Sequence, residues 1–107
     1  MLWLITRVSK PGTPNSEATR DPVVRMKHRE YLQMQLKKNI LVLSGPMESD
    51  DGGPQLGGTV FLLHVNSRAE AQAFLDNDPF TQAGYFTDHK ITRMRKGNWN
   101  PAAAEGA

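Results

Sequence analysis

No cysteine occurs in the 107 residues, which removes disulfide bridges, thiolate nucleophiles and cysteine-ligated zinc together. Histidine is scarce as well. The three present, His28, His64 and His89, lie far apart and form no HExxH-like pair, so no metal site is expected. Long apolar runs are missing too. The longest near the start, Leu2 to Ile5, is too short for a signal-peptide core or a membrane span, and no basic segment precedes it. A cytoplasmic location without a membrane partner is expected. Nor is there a surplus of one charge: 13 Lys and Arg against 11 Asp and Glu leave +2, dispersed along the chain, which is little with which to hold nucleic acid. At this length one domain is expected, over residues 1–100, with residues 101–107 as a flexible tail beyond a Trp99 that docks.

What is present reads as alternating strands and helices. Leu2 to Val8 is an apolar, β-branched-containing run that stops at two prolines and a glycine in residues 9–16, and is predicted to be a strand. Asp21-Pro22 supplies an N-cap and a proline at the first helical position, and Lys37-Lys38-Asn39 closes a helix of about four turns. Ile40 to Leu43 reads as a buried strand ended by Ser44-Gly45-Pro46. Glu48 to Gly58 reads as a mobile loop. Thr59 to Val65 is predicted to be a strand with Val60, Leu62 and His64 on one face and Phe61, Leu63 and Val65 on the other. Ser67-Arg68-Ala69-Glu70 is a capping box. The helix it opens buries Ala71, Phe74 and Leu75 and stops before Asn77-Asp78-Pro79. A helical turn near Phe80 and a polar edge strand over Phe86 to Met94 complete the series.

This order, βαββαβ, is an α+β, ferredoxin-like split βαβ sandwich. Helices cover one face of such a sheet. With Phe61, Leu63 and strand-one residues assigned to the other face, a second copy is expected to cover it, making a homodimer.

His28 stands out because Val24, His28 and Leu32 recur at i, i+4 and i+8, which places an imidazole on the apolar stripe of the first helix. Its two readings are a half-buried histidine bonded to a carbonyl and a general acid or base, a role that suits a pKa near neutrality. Arg25, one turn earlier, is either a solvated arginine or a ligand for an anionic group. Asp78 either ends the second helix or orients the imidazole. Both helices pack on the same side of the sheet, so a meeting of His28 and Asp78 is geometrically open. Ser44-Gly45-Pro46 is either a tight turn or a place where backbone approaches a ligand. Gly57-Gly58 allows the same two readings.

Taken in order, Arg25-Met26-Lys27-His28, Tyr31-Leu32, Leu43-Ser44-Gly45-Pro46-Met47, Gly58, Glu70-Ala71-Gln72-Ala73-Phe74, Asp78-Pro79-Phe80, Ala83-Gly84 and Trp99-Asn100 resemble the YCII-related family. The resemblance implies a dimeric α+β barrel of ferredoxin-like subunits. It also implies a catalytic dyad of His28 and Asp78, with Arg25, Ser44, Gly45 and Pro46 lining the substrate site. Activities associated with the family are lyase or isomerase steps on small molecules, including loss of HCl from chlorinated hydroxylated rings. The sequence departs from the family in a longer loop, Lys10 to Arg20, whose role as part of a pocket lid the sequence leaves open, and in Asn39 where glycine is common.

The function expected is cofactor-independent proton transfer by His28 and Asp78 on a cyclic or hydroxylated substrate, with no metal and no organic cofactor. The alternative is a metabolite-binding or accessory module of the same fold. RNA binding is disfavoured, because Gly58-Thr59-Val60-Phe61-Leu62-Leu63 offers one aromatic where a recognition motif needs several.

Overall fold

Alternation along the first strand decides which way the sheet faces. The computed structural model describes residues 1–10, 20–48, 50–51 and 55–107, with residues 55 and 56 described in backbone only. In β1 (Leu2–Ser9), Trp3, Ile5 and Arg7 are buried, while Leu4 and Val8 are exposed on the opposite side. The chain continues through α1 (Pro22–Lys37), β2 (Leu41–Glu48), β3 (Gln55–His64), α2 (Arg68–Asp76), α3 (Pro79–Gln82) and β4 (Phe86–Met94), with a 3₁₀ turn at Pro101–Ala104. The four strands form an antiparallel sheet in the order β2-β3-β1-β4, which is the ferredoxin-like α+β arrangement expected.

The helices begin and end where their sequence signals lie. The Asp21 carboxylate accepts from the amides of Val23 and Val24 at 2.9 and 3.1 Å, and Pro22 opens α1. At the other end Asn39 has φ 59°. The Asn39 and Ile40 amides turn back to the carbonyls of Leu36 and Gln35, each at 3.0 Å, a left-handed closure that asparagine tolerates. Ser67 accepts from the Glu70 amide at 3.2 Å, and the Glu70 carboxylate accepts from the Asn66 amide at 2.7 Å. The second half of the box therefore closes one residue earlier than in the standard pattern.

Register corrects the face assignment. Ile5 pairs with Phe61 and Trp3 with Leu63, and residues directly opposite share a face. Phe61 and Leu63 therefore lie under the helices, not on the bare side. Phe61 meets Phe74 of α2 edge-on at 5.1 Å, in a core completed by Leu41, Val65, Ala71, Leu75 and Ile91. The uncovered face carries Leu4, Val8, Leu43 and Met94, all exposed, beside Leu62. A short strand buried on one face gives no sequence cue as to which of two apolar sets the helices cover, since β3 is apolar on both.

Three further expectations change. β2 is an exposed edge strand rather than a buried one, and it runs through Ser44-Gly45-Pro46 to Glu48, with register shifts between Leu41 and Leu43 and between Pro46 and Glu48. An edge tolerates proline because the missing N–H faces no neighbour. β3 begins at Gln55, inside the stretch read as loop. Trp99 is half exposed beside Lys96, 5.8 Å from its ring, instead of docked. Of the loop from Lys10 to Arg20, residues 11–19 lie outside the described residues; the Lys10 amide at its start donates to the Tyr85 carbonyl at 2.7 Å. No described helix is long and apolar enough to cross a membrane.

Close packing of the strands leaves no room for a side chain at Gly58. A Cβ on Gly58 would stand 2.3 Å from the Arg7 carbonyl oxygen, whereas one on Gly45 would meet nothing within 4 Å. Gly58→Ala is therefore expected to destabilise the fold by about 1–3 kcal/mol and Gly45→Ala by less than about 0.5 kcal/mol, as urea titration of the two variants will show.

Candidate active site

The centre of the site is a carboxylate with no access to water. Asp78 is the N-cap of α3, and its Oδ1 accepts from the Phe80 amide at 3.3 Å. The same Oδ1 lies 2.5 Å from His28 Nδ1, while Oδ2 lies 2.5 Å from Arg7 Nη1. Neither His28 nor Arg7 is appreciably exposed, and Asp78 is not exposed at all. An ionised carboxylate can only accept, so the short contact assigns the imidazole proton to Nδ1 and leaves Nε2 as the ring's basic nitrogen.

Electrostatics agree with that assignment. Burial by itself would raise the Asp78 carboxyl, but the His28 hydrogen bond and the positive charge of Arg7 outweigh it and hold the carboxyl below its ordinary range. Burial also lowers the proton affinity of Arg7, against which Asp78 acts. Arg7 is held at several points, although its buried Nη2 has no hydrogen-bond partner among the described residues. Its Nε donates to Thr59 Oγ1 at 2.9 Å, its Nη1 to Thr81 Oγ1 at 2.8 Å, and its guanidinium carbon lies 3.7 Å from the Phe86 ring centroid. Because Arg7 and Thr59 are register partners, the strand pairing itself aims the guanidinium at Asp78.

His28 also lines a cavity. Its imidazole stacks on Phe80 with centroids 3.8 Å apart and planes 13° apart. Beside it lies a cavity of about 190 Å³ lined by His28 and Leu32 of α1, Ser44, Gly45 and Pro46 of β2, Gly58, Thr59 and Phe61 of β3, Phe80 and Arg20. The register explains the floor: Ser44 is opposite Phe61 and Pro46 opposite Thr59, so all four turn toward the helices.

Of the residues singled out from the sequence, His28, Ser44, Gly45 and Pro46 are brought together around this cavity, and Asp78 stands behind His28. Arg25 does not line it. The cavity extends from His28 toward Leu32, four residues on, whereas Arg25 lies one turn the other way. The cation on the cavity wall is Arg20. Arg7, Arg20, Thr59 and Thr81 were not anticipated. Arg7 alone carried a signal, a charged residue at an inward position of a strand otherwise apolar, in phase with Trp3 and Ile5. His64 and His89 are exposed, His89 with its Nε2 3.1 Å from Gln72 Oε1. Among the described residues no cluster of three or more His, Cys, Asp or Glu is arranged to hold a metal ion.

A family model for the YCII-related domain matches residues 1–95. The chain belongs to the YCII-related family. Among solved structures it is similar to the 5-chloro-2-hydroxyhydroquinone dehydrochlorinase of Burkholderia phenoliruptrix AC1100 in complex with 2,5-dihydroxybenzoquinone, at 30% identity over 91% of this chain and 96% of that one, with a TM-score of 0.68. The protein Atu4242 from Agrobacterium tumefaciens, at 19% identity over 94% and 98% of the two chains and a TM-score of 0.55, shares the fold. So does an antibiotic biosynthesis monooxygenase, at 16% identity over 92% and 100% and a TM-score of 0.50. No curated protein sequence matches the chain.

The linked charges make this YCII-related site sensitive to loss of one partner. Arg7→Met is expected to cost about 3–5 kcal/mol at neutral pH by leaving Asp78 buried and underpaired, and adding Asp78→Asn should recover part of it. Because the folded Asp78 carboxyl is held low, its contribution to stability is complete above the unfolded carboxylate value of about 3.9 and falls as pH drops through the folded value. Denaturant midpoints of wild type, single and double variants between neutral and acid pH measure both effects.

Proposed function

We propose that this YCII-related protein is a cytoplasmic, cofactor-independent acid–base enzyme acting on a small cyclic or hydroxylated substrate, in a lyase-type or isomerase-type step. The observation that carries the reading is the 2.5 Å contact between His28 Nδ1 and a fully buried Asp78, with His28 also lining a cavity. A histidine held in one tautomer beside a ligand-sized space is the arrangement that general base catalysis needs. The similar dehydrochlorinase, whose structure holds a dihydroxybenzoquinone, supports a substrate of that size. An engineered cavity of about 150 Å³ accepts benzene, so a space of about 190 Å³ suits a single substituted ring.

In this reading His28 Nε2 takes a proton from a ring hydroxyl or an acidic ring carbon. The electron pair left behind delocalises as an enolate or phenolate. It then expels a leaving group with its bonding pair in a lyase-type step, or takes the proton back at a different carbon in an isomerase-type step. Asp78 stabilises the imidazolium formed in between and does not itself change protonation. Arg7 keeps Asp78 ionised and oriented. Ser44, Gly45, Pro46 and Thr59 shape the wall against which the ring lies. A positioned base of this kind contributes about 10²- to 10⁴-fold to the rate. With hydroxylated rings and lactones screened for turnover, His28→Ala is expected to lose at least about 10²-fold in kcat and some stability, since it leaves buried Asp78 one partner short. Undiminished turnover in that variant would sink the acid–base reading in favour of a binding module.

The working unit is a homodimer. Leu4, Val8, Leu43 and Met94 are exposed together on the uncovered sheet face, an apolar patch of the kind a second copy buries. Light scattering is expected to give twice the 11.9 kDa chain mass, and Leu43→Glu to give the monomer.

A further inference from the structure

His28 is not alone in joining the charged cluster to the cavity. Thr59 does so through Arg7, whose Nε donates to its Oγ1 at 2.9 Å, and it lines the same cavity. A threonine hydroxyl has one proton to give and two lone pairs to fill. A guanidinium can only donate, so the bond from Arg7 occupies a lone pair and leaves the Thr59 proton unspent. Among the described residues, none accepts that proton: the bond from Arg7 is the one hydrogen bond that Thr59 Oγ1 makes. A part-buried hydroxyl in this state pairs with water or with a ligand.

Strand pairing holds this hydroxyl in place. β3 is an inner strand, and Thr59 stands between Arg7 of β1 and Pro46 of β2, so the pleat directs its side chain to the helix side of the sheet, where α1 carries His28. Branching at Cβ restricts its rotamers. The group that feeds it is held as well: Arg7 Nη1 is bonded to Asp78 and Thr81, and the guanidinium lies against Phe86. A hydroxyl that receives a bond from a cation gives its own proton more strongly. Ser44, another hydroxyl on the cavity wall, differs in both respects. It is exposed on the edge strand, and no described residue donates to its hydroxyl.

Resting on the acid–base reading above, we infer that Thr59 binds the substrate, donating its hydroxyl proton to a ring oxygen, so that the cavity selects rings that carry a carbonyl or an ionised hydroxyl. Asp78 then stands behind both halves of the reaction. Through His28 it supports the base, and through Arg7 it holds the cation that polarises the donor. As the bond to hydrogen breaks, the proton passes to His28 Nε2 and the electron pair comes to rest on the ring oxygen, where the Thr59 hydroxyl meets it. A donor already aimed at developing charge stabilises it without reorganising. A ring of the same shape that lacks the oxygen leaves the hydroxyl unpaired and is discriminated against for that reason. Thr59 is accordingly a binding and specificity residue, and Arg7, which acts through it and through Asp78, is a positioning residue.

The test is titration of the wild type, Thr59→Val and Thr59→Ser with pentafluorophenolate, which is ionised at neutral pH, and with pentafluorobenzene, the same ring without the oxygen, each followed by its fluorine resonances. Thr59→Val is expected to weaken pentafluorophenolate about tenfold or more while leaving pentafluorobenzene within about threefold of its wild-type affinity. Thr59→Ser, which keeps the hydroxyl and loses the methyl group, should hold both rings within about threefold of wild type. Should Thr59→Val fail to fold, because Arg7 Nε has lost its acceptor, a crystal structure of the wild type with pentafluorophenolate decides: the phenolate oxygen is expected about 2.5–3.0 Å from Thr59 Oγ1. A Thr59→Val protein that binds pentafluorophenolate as the wild type does, a loss shared equally by pentafluorobenzene, a Thr59→Ser protein that behaves as Thr59→Val, or a phenolate oxygen bound away from Thr59 overturns the assignment. In those cases a ring that still binds and shifts the His28 imidazole signals leaves the acid–base reading standing. Absence of binding by either ring to the wild type, with the imidazole signals unchanged, removes both.

Discussion

A single buried carboxylate organises the interior of this protein. Asp78 caps α3 with one oxygen, and the same oxygen receives the His28 imidazole from α1, while the other receives Arg7 from β1. Three elements distant in sequence meet at two atoms. Their charges are out of water, so each is tolerable only because the other partners are in place. The Arg7 guanidinium is in turn held by Thr59 of β3 and Thr81 of α3, so the geometry of the imidazole depends on the register of the central strands as much as on the helix that bears it.

That dependence explains the placing of the cavity. It lies between α1 and the paired strands β2 and β3, over side chains that this pairing turns toward the helices. Gly58 is small because the Arg7 backbone passes close to it, and this keeps the strands together directly below the charged cluster. Phe80 connects the two halves of the site, stacking on His28 on one hand and helping to enclose Arg20 on the other. A fold shared with structures as low as 16% identical supplies the frame. The chemistry resides in the residues that this chain places on it.

Much of the frame was legible in the chain. Asp21-Pro22, Asn39, the capping box at Ser67 and Asn77-Asp78-Pro79 mark helix ends through local backbone chemistry, which acts over a few residues and reads the same in any fold. The stripe of Val24, His28 and Leu32 placed the imidazole inward for the same local reason. The Ser44-Gly45-Pro46 segment misled, because glycine and proline mark a turn in a central strand but are tolerated along an edge, and strand order is a property of the whole sheet.

The sequence by itself determined the order of elements, the inward face of α1 and the residue types available for proton transfer, all of which follow from periodicity and capping over short distances. Only the tertiary structure decided that Phe61 and Leu63 face the helices, that Arg7 rather than solvent neutralises Asp78, and that Arg20 rather than Arg25 stands at the cavity. Each of these turns on which strands pair and in what register, and pairing joins residues as far apart as Arg7 and Asp78, 71 positions along the chain. Local propensity carries no information about such contacts, because their energy exists only once the sheet has formed.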